Sequence, residues 1–246
     1  QTKQRLLEKD LEAAAAIQTS LLPIRAPRVE SVQAAWKFRP CEQIGGDIFN
    51  IQSLDNEQIG LYMLDVCGHG VPAALISVAV SQFLHSGKGL LGTNCELMSP
   101  GTVLNSLDRA FPFERFDSFF TIICMTIDMT TGILTYSCAG HPAPVVIRSD
   151  GSVNELDRRG PMIGSGVAAP YDQAEYQLRP DDKLFLYTDG LVEVRDRYGQ
   201  PYTKQRLLNI LKTSRHMAIT ALLDTAYTDA ATFWQGASPD DDISLL

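Results

Sequence analysis

Aspartates set where apolar runs begin or end constrain this chain more than any other feature. Asp47 closes Gly45-Gly46-Asp47, Asp65 opens Asp65-Val66-Cys67-Gly68-His69-Gly70, Asp189 precedes Gly190, and Asp240-Asp241-Asp242 stands before Ile243-Ser244-Leu245-Leu246. Each borders an apolar segment that reads as a strand, as in Ile59-Gly60-Leu61-Tyr62-Met63-Leu64 before Asp65 and Phe185-Leu186-Tyr187-Thr188 before Asp189. A strand end holds a carboxylate rigidly, and glycine lets backbone approach closely. Taken singly, an Asp-Gly pair is an Asx turn or a helix N-cap. Taken together, carboxylates gathered at strand ends repel one another unless a cation sits among them. Hard divalent ions with oxygen ligands are the natural occupants. The pattern points to a metal-dependent hydrolase.

Composition narrows the alternatives. The 246 residues suffice for one large domain or two small ones, and 45% hydrophobic with 20% charged residues is ordinary for a globular chain. A net charge of −8 argues against a nucleic-acid binder. A phosphorylated substrate stays open, because local metal charge outweighs the global field. The five cysteines, Cys41, Cys67, Cys95, Cys124 and Cys138, are odd in number and lack CxxC spacing. They read as free thiols in a reducing, cytoplasmic setting, with Cys124 and Cys138 as small hydrophobes in strands. No apolar run reaches membrane-spanning length, and the polar opening segment is not a secretory signal. The expectation is a cytoplasmic protein without nucleic-acid or membrane partners. The first residue is Gln1 rather than Met, which reads as a piece of a longer protein or a processed terminus.

Gln4 to Leu22 is rich in good helix formers and is ended by Pro23. Leu7, Leu11, Ala14 and Leu21 follow a heptad seam with Gln18 in the remaining slot. Two readings stand: a helix packed on its own domain, or a coiled-coil connector and dimer contact. Strands are expected over Val32 to Phe38, Ile48 to Leu54 and Ile59 to Leu64, with Asp55-Asn56-Glu57 as a turn. Val71 to Leu84, opened by Pro72, and Thr102 to Ala110 read as helices. Phe119 to Asp128, Ile133 to Cys138 and Pro144 to Arg148 read as a strand meander with turns at Thr131-Gly132 and Asp150-Gly151. Two more strands, Tyr176 to Leu178 and Lys183 to Thr188, precede helices over Lys204 to Lys212 and Met217 to Phe233. Strands in runs with helices grouped between them imply α+β layers.

The order of these words resembles the type 2C metal-dependent protein phosphatases, in their bacterial SpoIIE-like and RsbU-like serine phosphatase branch. The likeness begins with Ala16-Ile17-Gln18-Thr19-Ser20-Leu21-Leu22-Pro23 and continues through Ile44-Gly45-Gly46-Asp47 and Asp65-Val66-Cys67-Gly68-His69-Gly70-Val71-Pro72-Ala73-Ala74-Leu75. It closes with Ala139-Gly140-His141-Pro142, Tyr187-Thr188-Asp189-Gly190 and Asp241-Asp242-Ile243-Ser244. Each word alone is moderately specific; all in order over nearly the whole chain are highly specific.

The resemblance implies an α+β fold, a central antiparallel β-sandwich flanked by helices in α-β-β-α layers. Residues 1–27 would be a regulatory or linker helix and 28–246 the phosphatase domain. It implies two Mn²⁺ or Mg²⁺ ions, with Asp65 bridging them, the Val66 main-chain carbonyl, Asp189 and Asp241 as further ligands, and Asp47 binding directly or through water. Asp47 and Asp65 would be the catalytic acids, Asp242 a neighbour and Asp240 a surface acid. The implied activity is hydrolysis of phosphoserine or phosphothreonine by metal-activated water. The implied substrate is an anti-sigma-factor-antagonist type of protein in bacterial stress signalling, with an upstream sensor or receiver domain and a homodimer through the first helix. The alternative is a catalytically silent phosphoprotein-binding module of the same fold. A nucleotide-cyclase reading of Gly45-Gly46-Asp47 fails at Ile48-Phe49.

Departures and open positions complete the reading. The branch often carries a second Asp three residues after Asp47, and here that position is Asn50, which can offer an oxygen without charge. Cys67 stands where the branch more often has Ser and is read as a packing residue. His69 is a loop-packing residue or a hydrogen-bonding neighbour of the site, His141 a structural corner or, as the lesser reading, a residue at the active-site edge, and His85 and His216 surface residues. Arg39 and the Arg158-Arg159-Gly160-Pro161-Met162-Ile163-Gly164 loop are candidates for substrate contact, with Arg39 equally readable as a solvated cation.

Overall fold

The computed structural model describes residues 2–27, 32–54, 57–86, 90, 98–167, 169–234 and 239–246. The Asp55-Asn56 turn and Cys95 lie outside these residues. In chain order the elements begin with α1 (Thr2–Thr19), β1 (Lys37–Arg39), β2 (Ile48–Ser53), β3 (Gln58–Val66), α2 (Val71–His85), α3 (Pro100–Ala110) and α4 (Phe113–Phe116). They continue with β4 (Phe120–Asp128), β5 (Ile133–Ala139), β6 (Val145–Ile147), β7 (Val153–Glu155), β8 (Ala174–Gln177) and β9 (Lys183–Phe185). The last four are α5 (Gly190–Glu193), α6 (Lys204–Thr213), α7 (Ile219–Trp234) and β10 (Ile243–Leu245).

Two antiparallel sheets face each other. The first has the order β2-β3-β4-β5-β8, and the second β7-β6-β9. Backbone hydrogen bonds between Leu186 and Leu246, and from Thr188 N–H to Ser244 O, carry the second sheet onto β10, which pairs with β1. Residue alternation shows the layering. Val145, Ile147, Phe185, Tyr187, Ile243 and Leu245 pack outward against α6 and α7, while Val146, Leu184, Leu186 and Leu246 point into the sandwich. On the first sheet Tyr62 turns to the opposite layer, where its hydroxyl meets Ser81 of α2 at 2.9 Å. The expected α-β-β-α layers are therefore present.

The central strand β3 is apolar on both faces because helices cover one and the second sheet the other. Ile59, Leu61, Met63 and Leu64 are all but fully buried, and each such side chain contributes about 2 kcal/mol by leaving water. Helix α2 starts as its Pro72 predicts. Helix α3 gains a cap from Ser99, whose hydroxyl accepts from Thr102 N–H.

Several expectations change. Of the Val32 to Phe38 run only Lys37 and Phe38 are strand, in β1, because its partner β10 is three residues long. The meander is broken: β5 pairs with β4, but β6 belongs to the other sheet. Gly140, at φ 70°, and the prolines at 142 and 144 turn the chain out of the first sheet between them. Asp65 lies inside β3, one residue before its end. The short elements α4, β7 and α5 carry too little periodicity to be read from sequence. The second half of α1 packs on the domain: Gln18 is only 4% exposed, and Leu21 joins the core, while Leu6 and Ile17 stay exposed.

Candidate metal centre

Strand alternation decides which carboxylates meet. On β3, Ile59, Leu61, Met63 and Asp65 share one face, and Leu61 lines a small apolar cavity with Leu184, Leu186 and Leu246 of the opposing sheet. That face is the sandwich interior, so Asp65 occupies its rim. Asp47 immediately precedes β2 and shares parity with Ile51, which lines the same cavity. From the opposing sheet, Thr188 and Ser244 fall on inward positions. Thr188 Oγ1 donates to Asp47 Oδ2 at 2.8 Å, and Ser244 Oγ donates to the same oxygen at 2.6 Å. Asp47 is 1% exposed, and its Oδ1 has no hydrogen-bond partner.

Asp242 builds the loop that carries Asp47. Its Oδ2 accepts from Gly46 N–H at 2.6 Å and Asp47 N–H at 3.3 Å, and its Oδ1 from Cys41 N–H at 2.8 Å. Gly45 is required there because a Cβ would collide with the Asp242 carboxylate. A Cβ on Gly46 would come within 2.7 Å of the Val66 carbonyl oxygen, which places that carbonyl against the same loop. Asp189 sits at the N-cap position of α5 but makes no side-chain cap; its charge reaches Asp65 and helps raise that carboxyl, and its own Oδ1 is buried without a partner. Asp241 Oδ1 accepts from Asp242 N–H at 2.8 Å. Asp240 is exposed, as expected.

The electrostatics are those of negative charge left uncompensated. Burial, then the charges of Asp189, Asp241 and Asp242, push the Asp65 carboxyl up to about 8. Burial first, then Asp65 and Asp242, hold Asp47 well above the carboxylate range, against the lowering effect of Ser244 and Thr188. Asp241 is raised by burial and by Asp189, Asp242 and Glu193. Among the described residues, neither Lys nor Arg forms an ion pair with any of these acids. As the side chains stand, no three described His, Cys, Asp or Glu groups close on one point as ligands. The donor set still suits a hard cation: clustered carboxylate oxygens, two of them orphaned, beside a backbone carbonyl.

The remaining candidates fall into place. Asn50, three residues beyond Asp47, lies on the opposite face of β2 and donates to the Leu21 carbonyl at 3.1 Å. Position 50 therefore offers nothing to the acid cluster, a correction that follows from the two-residue strand period. Cys67 is exposed rather than packed, and its thiol is pushed up to about 11 by burial and by Asp65, Asp189 and Asp241. His69 pairs with Glu42 at 2.8 Å on the surface of the same loop. His141 is fully buried with Nδ1 2.9 Å from Thr121 Oγ1, opposite Asp65 on β4. Burial depresses its pKa to about 3, offset in part by the Tyr187 backbone, which is not in full hydrogen-bonding geometry. His85 is not a free surface residue: its Nδ1 meets the Ser81 carbonyl at 2.8 Å and its ring stands edge-on to Tyr62. Arg39 is engaged elsewhere, donating to Tyr227 and lying over Trp234.

Sequence reasoning left Gln18, Thr188 and Ser244 without roles. Gln18 Nε2 donates to Gly45 O at 2.6 Å and to Ser77 Oγ at 3.2 Å, and Gly45 N–H donates back to its Oε1 at 3.2 Å. This ties α1 to the Gly45-Gly46-Asp47 loop. A polar residue at an inward position of an otherwise apolar run was the available signal for all three.

Known proteins share this architecture. The SiaA PP2C domain of Pseudomonas aeruginosa superposes with a TM-score of 0.84 at 20% identity, over 99% of this chain and 96% of that one. RsbX, in a crystal structure in complex with magnesium, superposes with a TM-score of 0.62 at 16% identity, over 85% of this chain and 90% of that one. The phosphoserine phosphatase RsbU of Bacillus subtilis is 28% identical over 199 residues, 80% of this chain and 57% of that protein. The chain spans about half the length of the curated relatives it matches, between 41% and 57% of each. The family model described as Stage II sporulation protein E (SpoIIE) matches residues 55–246, and the chain belongs to that SpoIIE family.

Proposed function

We propose that this chain is a metal-dependent protein serine/threonine phosphatase acting on phosphoserine or phosphothreonine. One observation carries the reading: acids from four separate segments meet at one rim of the sandwich with orphaned oxygens and, among the described residues, no Lys or Arg paired with them. The names of the phosphoserine phosphatases RsbU and RsbP among the relatives support the reaction class, and the magnesium complex of RsbX supports the ion class.

Asp65, the Val66 carbonyl, Asp189, Asp241 and Asp47 would hold two Mn²⁺ or Mg²⁺ ions. Bound divalent ions lower the pKa of a water and neutralise phosphoryl oxygens. The chain's own contribution is placement. Thr188 and Ser244 fix one oxygen of Asp47 and leave the other free. Asp242 holds the loop through three backbone N–H groups. Gln18 braces that loop from outside. Asp65 must be ionised to serve a cation, so its raised carboxyl makes binding release a proton.

We extend the proposal to a substrate of the anti-sigma-factor-antagonist type, and to an upstream sensor or receiver domain acting through α1, with a homodimer through that helix. The longer relatives that share this domain support it. Residues 1–27 then serve as linker and 28–246 as the phosphatase unit. Among the described residues no helix is long and apolar enough to cross a membrane.

The test is phosphate release from p-nitrophenyl phosphate and from a phosphoserine protein with added Mn²⁺, against EDTA and Asp65→Asn. Release abolished by both controls supports the reading. Full release from a folded Asp65→Asn variant refutes the role of Asp65. No release and no Mn²⁺ binding would favour the silent docking module.

A further inference from the structure

Among the described residues no Lys or Arg pairs with the acid rim, and the chain as a whole carries a net charge of −8. Ions held at the rim would meet the phosphoryl group that every substrate shares, so discrimination among polypeptide substrates falls to protein contacts beside the rim. One such surface is present. Phe113, at the start of α4, is 42% exposed, and its ring stacks on Phe119 with centroids 6.4 Å apart and planes 27° from parallel. Phe119 directly precedes β4, and its carbonyl accepts from Cys67 N–H at 3.1 Å. Cys67 is two residues from Asp65 and is exposed, and nothing lies within 4 Å of where a Cβ on Gly68 would stand. The aromatic pair therefore borders the acid rim across an open stretch of backbone. The loop on its other side packs Gly164 against Phe111, Phe113 and Ser118 backbone and then presents Val167, 54% exposed.

The other rings around α4 show that this exposure is specific. Phe111 is 6% exposed and stacks with Phe83, Phe116 and Phe120 in the core. Phe113 faces away from that cluster, so burying it in the core is not what holds α4 in place. An exposed Phe113 stacked on a half-buried Phe119 is pre-organised for an apolar side chain, since the rings lose little freedom on contact.

We propose that Phe113 and Phe119 are specificity-determining residues of the phosphatase reaction: they form a shelf that receives an apolar side chain flanking the phosphoserine of a polypeptide substrate. This rests on the phosphatase reading above. The shelf selects phosphoproteins with an apolar residue a few positions from the phosphoserine over uniformly polar ones, and p-nitrophenyl phosphate has no flanking residue to place on it.

The experiment uses residues 1–246 with Mn²⁺ and short phosphoserine peptides in which a single Leu is walked through an otherwise Ser/Gly flank. p-Nitrophenyl phosphate is the reference. The expected result is one Leu position that lowers KM about tenfold in the unmodified chain. Phe113→Ala should erase that preference with kcat on the peptides retained, and Phe113→Leu should keep most of it. Absence of any favoured Leu position, or a preference that survives Phe113→Ala, overturns the shelf. Loss of p-nitrophenyl phosphate turnover in Phe113→Ala alone also overturns it, since Phe113 would then support the reaction centre itself. Failure of the unmodified chain to hydrolyse either substrate overturns the phosphatase reading and the shelf with it.

Discussion

Two partly or fully buried acids in this molecule behave in opposite ways. Asp229 on α7 accepts from Arg206 Nε at 2.8 Å, Arg206 Nη2 at 3.0 Å and Tyr202 Oη at 2.7 Å. Those bonds, Arg206 first, hold its carboxyl below the ordinary range. Asp65 has acids where Asp229 has an arginine, and its carboxyl is pushed up to about 8. Asp65 is the more deeply buried, and burial is the largest cause of its rise; the charges of Asp189, Asp241 and Asp242 add to it, whereas at Asp229 Arg206 and Tyr202 outweigh burial. A carboxylate whose charge is met by its own chain is a structural device. One left unmet among other acids costs folding free energy and persists where a ligand meets the charge.

The contrast can be broken most decisively at Asp65. Asp65→Asn should lower Mn²⁺-dependent phosphate release by at least about a thousandfold, while circular dichroism shows the fold retained. In EDTA the same variant should melt at or above the unsubstituted chain, because a raised, buried carboxyl has been neutralised. A lower melting temperature would make Asp65 structural, like Asp229.

Metal linkage sharpens the same point. Mn²⁺ at about a hundred times its dissociation constant should stabilise the chain by about 2.7 kcal/mol, read as a rise in thermal midpoint that EDTA reverses. Asp65→Asn should show none of that rise, and Asp229→Asn all of it.

Asp229→Asn should cost about 2 kcal/mol in urea unfolding and leave activity in the folded protein unchanged. The pH sign follows from its lowered folded pKa. Its stabilisation is complete above the unfolded value of 3.8 and is lost as pH falls through the folded value. A urea midpoint in Asp229→Asn that loses this acid-range dependence confirms the assignment, and unaltered dependence contradicts it.

The smallest effect is expected at Gln18. Gln18→Ala removes the brace on Gly45 and should raise the Mn²⁺ concentration for half-maximal activity by about tenfold, or about 1.4 kcal/mol, leaving kcat at saturating Mn²⁺ within about twofold. An unchanged Mn²⁺ requirement would show that α1 is only packed against the loop.

Much of this was legible in the chain. Apolar runs over Ile59 to Leu64 and Phe119 to Asp128 identified β3 and β4 because both faces of each are covered. The Pro72 signal located α2, and Cys124 and Cys138 were correctly read as buried thiols. The recurrence of aspartate at strand ends identified the acids that the fold gathers. Misreadings cluster where a partner decides the outcome. Val32 to Phe38 is mostly not strand because β10 is too short to pair with it. β6 left the meander because strand pairing is non-local. Cys67 looked like packing because side-chain exposure in a loop has no periodicity to read.

The sequence by itself determined the layers and the acids, since hydrophobic period and glycine placement are properties of a few consecutive residues. Only the tertiary structure decided which face each acid occupies and what meets its charge. It turned Asn50 away from Asp47, set Thr188 and Ser244 on one oxygen of Asp47, and tied Gln18 to Gly45. Those contacts join residues 27 to 197 positions apart. Electrostatic energy falls with distance in space and is indifferent to distance along the chain, so compensation, and with it the difference between Asp65 and Asp229, exists only in the folded molecule.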